Sequence, residues 1–144
     1  MSFIANLRDC EAKLGTYVSS GADAGSKECV AAVKALAGAP ATFAWRRGER
    51  VKGNLLVMPG TAIATFPLTR NTHFGFKGHA AILIRHTAAG FEVYDQWNGT
   101  PLHRREITSS CAGYVSNDAE AFYVVELTEH PSDDPALCGS SSHY

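Results

Sequence analysis

Two strongly β-forming runs, HAAILIRH at 79–86 and GFEVYDQW at 90–97, are joined only by the short TAAG region. So little chain closes a hairpin but not a crossover, which takes a dozen residues or more, so the pair is antiparallel. Two more runs of the same kind, TAIATF at 61–66 and AFYVVEL at 121–127, extend the sheet as a meander. Ahead of them the periodicity is helical. Phe3, Leu7, Leu14 and Val18 predict an amphipathic first helix within 2–18, and the SSGADAGS cluster at 19–26 breaks it. SKECVAAVKALAG then predicts a second helix, with Ser26 as N-cap and Gly38 and Pro40 as stop signals. Helices first and an antiparallel sheet after them make the chain α+β. Its 144 residues suit one domain, here 1–130, followed by a polar tail at 131–144.

The segment 39–60 reads as a mixed loop carrying Trp45 and four cations, Arg46, Arg47, Arg50 and Lys52, against Glu49 alone. It is read as a solvated connection around a packed tryptophan, with a groove wall facing an acidic polymer as the alternative. A formal net charge of -1 and 19% charged residues give no global field that selects nucleic acid or membrane as partner. The first residues, MSFIANLRDCEAKLG, lack the basic and apolar regions of a secretory signal peptide, and none is expected.

Three reactive side chains stand out. Cys29 lies at a helix start, where unpaired amides and the helix dipole favour a thiolate, and it heads the stripe Ala32, Val33, Leu36 that packs on the sheet. Among six histidines, His79 alone opens a strand that is apolar on both faces, and Gly78 precedes it; His73, His86, His130 and His143 read as surface residues. Asp95 is the residue least expected by pattern, because strand alternation puts it on the face of Phe91, Val93 and Trp97. A carboxylate there needs a partner, and the hairpin brings His79 opposite or diagonal to it. Nucleophile, base and orienting carboxylate make a cysteine hydrolase set. The competing reading is a non-enzymatic binding domain in which Cys29 and His79 are core residues.

The other cysteines are Cys10, Cys111 and Cys138, and no CxxC pair is present. They are either reduced, or one bridge from Cys138 to Cys10 or Cys111 pins the tail. No metal motif such as HExxH occurs, and no cofactor is expected.

ECVAAVK, PGTAIATF, GHAAILI and VYDQW together resemble the NlpC/P60 and CHAP superfamily of papain-like amidases. The resemblance implies a papain-like fold with Cys29, His79 and Asp95 as its catalytic set. Glu28 stands where several CHAP relatives carry glutamine, which leaves the oxyanion donor open between Ser26 and a backbone amide of the 21–26 loop. More narrowly, WRRGERVKGN, PGTAIATF and DQWNG resemble the small amidase effectors of type VI secretion. That resemblance implies synthesis in the cytoplasm without a signal peptide and delivery by type VI secretion machinery to the periplasm of a target Gram-negative cell. It implies peptidoglycan peptide stems as substrate, cut at the diaminopimelate to D-alanine crosslink or the γ-D-glutamyl to diaminopimelate bond, and a cognate immunity protein as partner. The alternative within the same fold is a toxin acting on a cytosolic protein by acyl transfer or deamidation.

Overall fold

The computed structural model describes residues 2–66, 75–110 and 113–128. The first helix, α1 (Leu7–Ala12), begins at Asn6, whose side chain accepts from the Arg8 and Asp9 amides at 2.9 and 3.2 Å. It is shorter than the spacing of Phe3 to Val18 predicts. The chain turns at Gly15 and is then taken up by the sheet, where Gly15 N donates to the Leu102 carbonyl at 2.8 Å and Leu102 N to that of Thr16 at 2.9 Å. Val18, beyond the turn, is buried without belonging to a helix, and a spacing rule cannot separate that from one more helical turn.

The second helix, α2 (Cys29–Ala37), ends where the sequence places its stop. Gly38 takes the left-handed conformation, φ 71°, and its amide donates to the Lys34 carbonyl at 3.0 Å. Ala31, Ala32 and Val33 are buried on its inner face, and these small side chains let the helix lie close on the sheet.

Six strands follow: β1 (Arg46–Arg50), β2 (Ala62–Thr65), β3 (Ala80–His86), β4 (Gly90–Trp97), β5 (Thr100–Thr108) and β6 (Phe122–Glu126). They form one antiparallel sheet in the order β1-β6-β2-β3-β4-β5. The meander therefore runs from β2 to β5, and the last strand returns to lie between β1 and β2. The predicted hairpin is β3–β4, with Ile82 opposite Tyr94 and Leu83 opposite Val93.

Two strands were not expected. β1 lies in the segment read as a loop, and β5, TPLHRREIT, has only Leu102 and Ile107 fully buried. Both are edge strands, and charged side chains on an edge suppress the apolar signal by which strands are read. The β1 cations are used inside the fold. Arg46 donates to the Phe43 and Trp45 carbonyls at 3.0 and 2.9 Å, Arg47 covers the Tyr123 ring at 5.3 Å, and Arg50 and Lys52 each lie 3.4 Å from Glu120. The sheet order sets β1 three to four strand spacings, ~15–20 Å, from β3 and β4, so these cations do not line a groove beside the catalytic candidates. Trp45 is packed as expected, fully buried with its indole N–H on the Pro40 carbonyl at 2.8 Å.

The sheet is buried on both faces. Toward the helices lie Val33, Trp45, Ile82, Tyr94, Leu102 and Tyr123; on the other face lie Ile63, Leu83, Phe91, Val93, Ile107 and Phe122. Cys10, on the buried side of α1, is a free, fully buried thiol, and burial together with the Asp9 charge pushes its pKa up to about 11. Cys138 and Cys111 lie outside the described residues, and with them the bridge from Cys138 to Cys10 or Cys111, as do His73, His130, His143 and the 131–144 tail.

Candidate active site

Cys29 is the first residue of α2 and not the third, because Glu28 with its extended backbone occupies the cap position. Ser26, expected as the N-cap, instead accepts from the Glu28 amide at 3.1 Å and shapes the approach to the helix. Cys29 thus stands at the very end of the helix, where its own amide has no partner in the helical ladder. Gln96 holds this end in place. It is fully buried, its Nε2 donates to the Glu28 and Val18 carbonyls at 3.1 and 3.0 Å, and its Oε1 accepts from the Val18 amide at 2.8 Å.

His79 precedes β3, and its backbone is fixed by Thr65. The His79 amide donates to Thr65 Oγ1 at 2.9 Å, the Thr65 amide returns a bond to the His79 carbonyl at 2.9 Å, and the hydroxyl donates to the Lys77 carbonyl at 2.6 Å. Gly78 stands at φ 110°, a conformation that a side chain would strain. The imidazole is nearly buried, with Phe122 and Trp97 ring centroids 6.4 and 6.0 Å away. Its Nε2 lies 2.7 Å from Asp95 Oδ2, and Nδ1 is the nitrogen left for the Cys29 side chain, which is close enough to act on the ring's charge.

Asp95 lies on β4, buried to 1% exposure, on the face that strand alternation assigns it. Its Oδ2 accepts from His79 and also from Arg105, whose Nε and Nη2 both stand at 2.9 Å. The structure thus brings together the three side chains that the sequence singles out. Burial works against charge at both ends of the His79–Asp95 pair. For His79 it is outweighed by hydrogen bonds to Asp95 and Cys29 and by their charges, and the ring's pKa rises from 6.5 to about 9. Burial would raise Asp95, but the bond from His79 and the Arg105 cation hold its carboxyl below the ordinary value. Near neutral pH the geometry favours an imidazolium between a carboxylate and the sulfur.

Five further residues complete the surroundings, and sequence reading did not single them out as part of a site. Thr65 and Gln96 look like ordinary strand positions. Arg105 and His103 belong to the unrecognised β5, and on that strand His103 pairs with Asp95 in register. His103 Nε2 stands 3.6 Å from Asp95 Oδ1, beyond hydrogen-bonding distance. Trp97, partly exposed, roofs the site with its ring against those of His79 and His103 and under the Arg105 guanidinium. Among the described residues no group of three or more His, Cys, Asp or Glu side chains is arranged to hold a metal ion.

The family model described as "Domesticated amidase effector 2" matches residues 2–125, most of the chain. The chain belongs to this amidase effector family. A domesticated amidase effector 2 of Ixodes scapularis is 41% identical over 105 residues, covering 70% of this chain and 72% of the relative. A type VI secretion amidase effector 2 protein of Salmonella typhi is 32% identical over 96 residues, covering 57% of this chain and 71% of the relative. The solved structure of a type 6 secretion amidase effector 2 (Tae2) superposes with a TM-score of 0.63 at 26% identity, over 85% of this chain and 94% of that one. The resemblance to amidase effectors carried by WRRGERVKGN, PGTAIATF and DQWNG is borne out, and with it the α+β papain-like architecture.

Proposed function

We propose that this amidase cuts peptide bonds of peptidoglycan stems, with Cys29 as nucleophile, His79 as acid and base, and Asp95 as the group that orients His79. The observation that carries the reading is the chain of contacts from the first residue of α2, through the His79 ring, to a buried carboxylate 2.7 Å away. The Cys29 thiolate attacks the stem carbonyl carbon, and the oxygen that becomes negative meets the Cys29 amide that the helix start leaves unbonded. His79 gives its proton to the departing amine, and a thioester remains on the sulfur. Water then attacks the thioester while His79 takes its proton, which releases the acid and restores the thiolate. Asp95, on Nε2, keeps Nδ1 directed at the sulfur through both steps.

The substrate and the route are carried over from the relatives. The Salmonella typhi relative is described as a type VI secretion effector, which supports delivery by that machinery to a target cell's periplasm and a cognate immunity protein in the producer.

The test incubates isolated Gram-negative sacculi with the protein or with Cys29→Ala and resolves the soluble muropeptides by chromatography and mass spectrometry. Wild type alone is expected to release fragments, and their masses tell crosslink cleavage from cleavage after D-glutamate. Equal release by the variant would remove Cys29 from the mechanism. No release by either would transfer the amidase to a protein substrate, tested by toxicity in cytosol against periplasm.

A further inference from the structure

We propose that Arg105 is a positioning residue of this site: its guanidinium fixes the Asp95 carboxylate, takes up part of its charge, and so sets how tightly His79 holds its proton. The inference rests on the Cys29, His79 and Asp95 reading above. Arg105 is on β5, is 19% exposed, and uses all three of its nitrogens. Nε and Nη2 reach Asp95 Oδ2 at 2.9 Å, Nη1 donates to Asn117 Oδ1 at 2.8 Å, and Nη2 also donates to the Ser116 carbonyl at 2.7 Å. Its face lies over Trp97 at 5.3 Å. The short 3-10 turn Val115–Asn117 and the tryptophan thus hold the fork from two sides.

The decisive detail is which oxygen is shared. Arg105 and His79 meet the same atom, Oδ2, while Oδ1 is buried without a hydrogen-bond donor. The charged or titratable groups facing Asp95 are His79 ahead of β3 and His103 and Arg105 on β5, and His79 is also faced by Cys29 from α2. A permanent cation on the shared oxygen leaves less negative charge for the imidazole. Without it Asp95 would hold the His79 proton more tightly, and the ring would be slower to give that proton to the departing amine.

The experiment follows the His79 ring by NMR titration of the full chain in wild type, Arg105→Met, Arg105→Gln and Arg105→Lys. Both neutral variants are expected to raise the His79 midpoint by about 0.5–1 pH unit, and the lysine variant to stay near wild type. Turnover of wall peptides is expected to lose about tenfold in kcat in the neutral variants, with KM little changed. A midpoint that stays put or falls in the neutral variants overturns the proposal. So does an equal rise in the lysine variant, or an unchanged kcat. The two neutral variants are independent, so one that folds suffices. Absence of turnover in wild type would sink the amidase reading of Cys29 and leave the titration to decide the placement of Arg105.

Discussion

Asp95 is the residue on which the others converge, a buried carboxylate that only its cationic neighbours make tolerable. Asp95→Asn leaves the shape and removes the charge, so the His79 proton should be lost at lower pH. The alkaline limb of the pH-rate profile, expected near the His79 value of about 9 in wild type, is predicted to move down, and kcat to fall by at least about 10²-fold. The same shifts predict a stability window. Asp95, held below its unfolded value, contributes stability above that value and loses it as pH falls through the folded one. His79, raised from 6.5 to about 9, contributes fully below 6.5 and loses the contribution as pH rises through about 9. Urea midpoints should therefore be highest between about pH 4 and pH 6.5 and fall toward both pH 3 and pH 10. Native-state iodoacetamide, followed by peptide mapping, should label Cys29 well before Cys10, whose thiol is fully buried with a pKa pushed up to about 11.

At the scale of elements, the N-terminal end of α2 is joined to β4 by one side chain, Gln96, next to the carboxylate in sequence. Gln96→Ala leaves the Val18 amide and the Glu28 and Val18 carbonyls without that partner, a cost of about 2–3 kcal/mol to be read by urea unfolding. It should also lower kcat by loosening Cys29 relative to His79, whereas an unchanged kcat would limit Gln96 to stability. What the sequence made legible divides along element type. β2, β3, β4 and β6 are buried on both faces and read as apolar runs, and Asp95 stood out because it broke one. β1 and β5 are polar edges, so Arg105 and His103 had no visible strand to place them on. The start of α2 lies two residues later than composition places it, because Ser26 is a better cap by composition than Glu28, while the chain uses the Ser26 hydroxyl to hold the Glu28 amide.

For the whole molecule, the sheet is a wall between two cores, with α2 on one face and the site at its end over β3 and β4. The last strand holds both cores together. β6 lies between β1 and β2 and sends Tyr123 and Val125 to one face and Phe122 and Val124 to the other. A chain ended before Phe122 should therefore lose the fold altogether, although none of the site's hydrogen-bonding side chains lies beyond that point. Circular dichroism and near-ultraviolet spectra check this, and a native-like spectrum would contradict it. The central claim, that Cys29 carries the acyl group, has a direct test. Purified muropeptides are mixed with the protein, quenched in acid within a turnover, digested, and the Cys29 peptide weighed. The account predicts an added mass equal to the acyl half of the substrate, on Cys29, in wild type and not in Cys29→Ala. An adduct on another residue, or turnover that continues in the alanine variant, would contradict it.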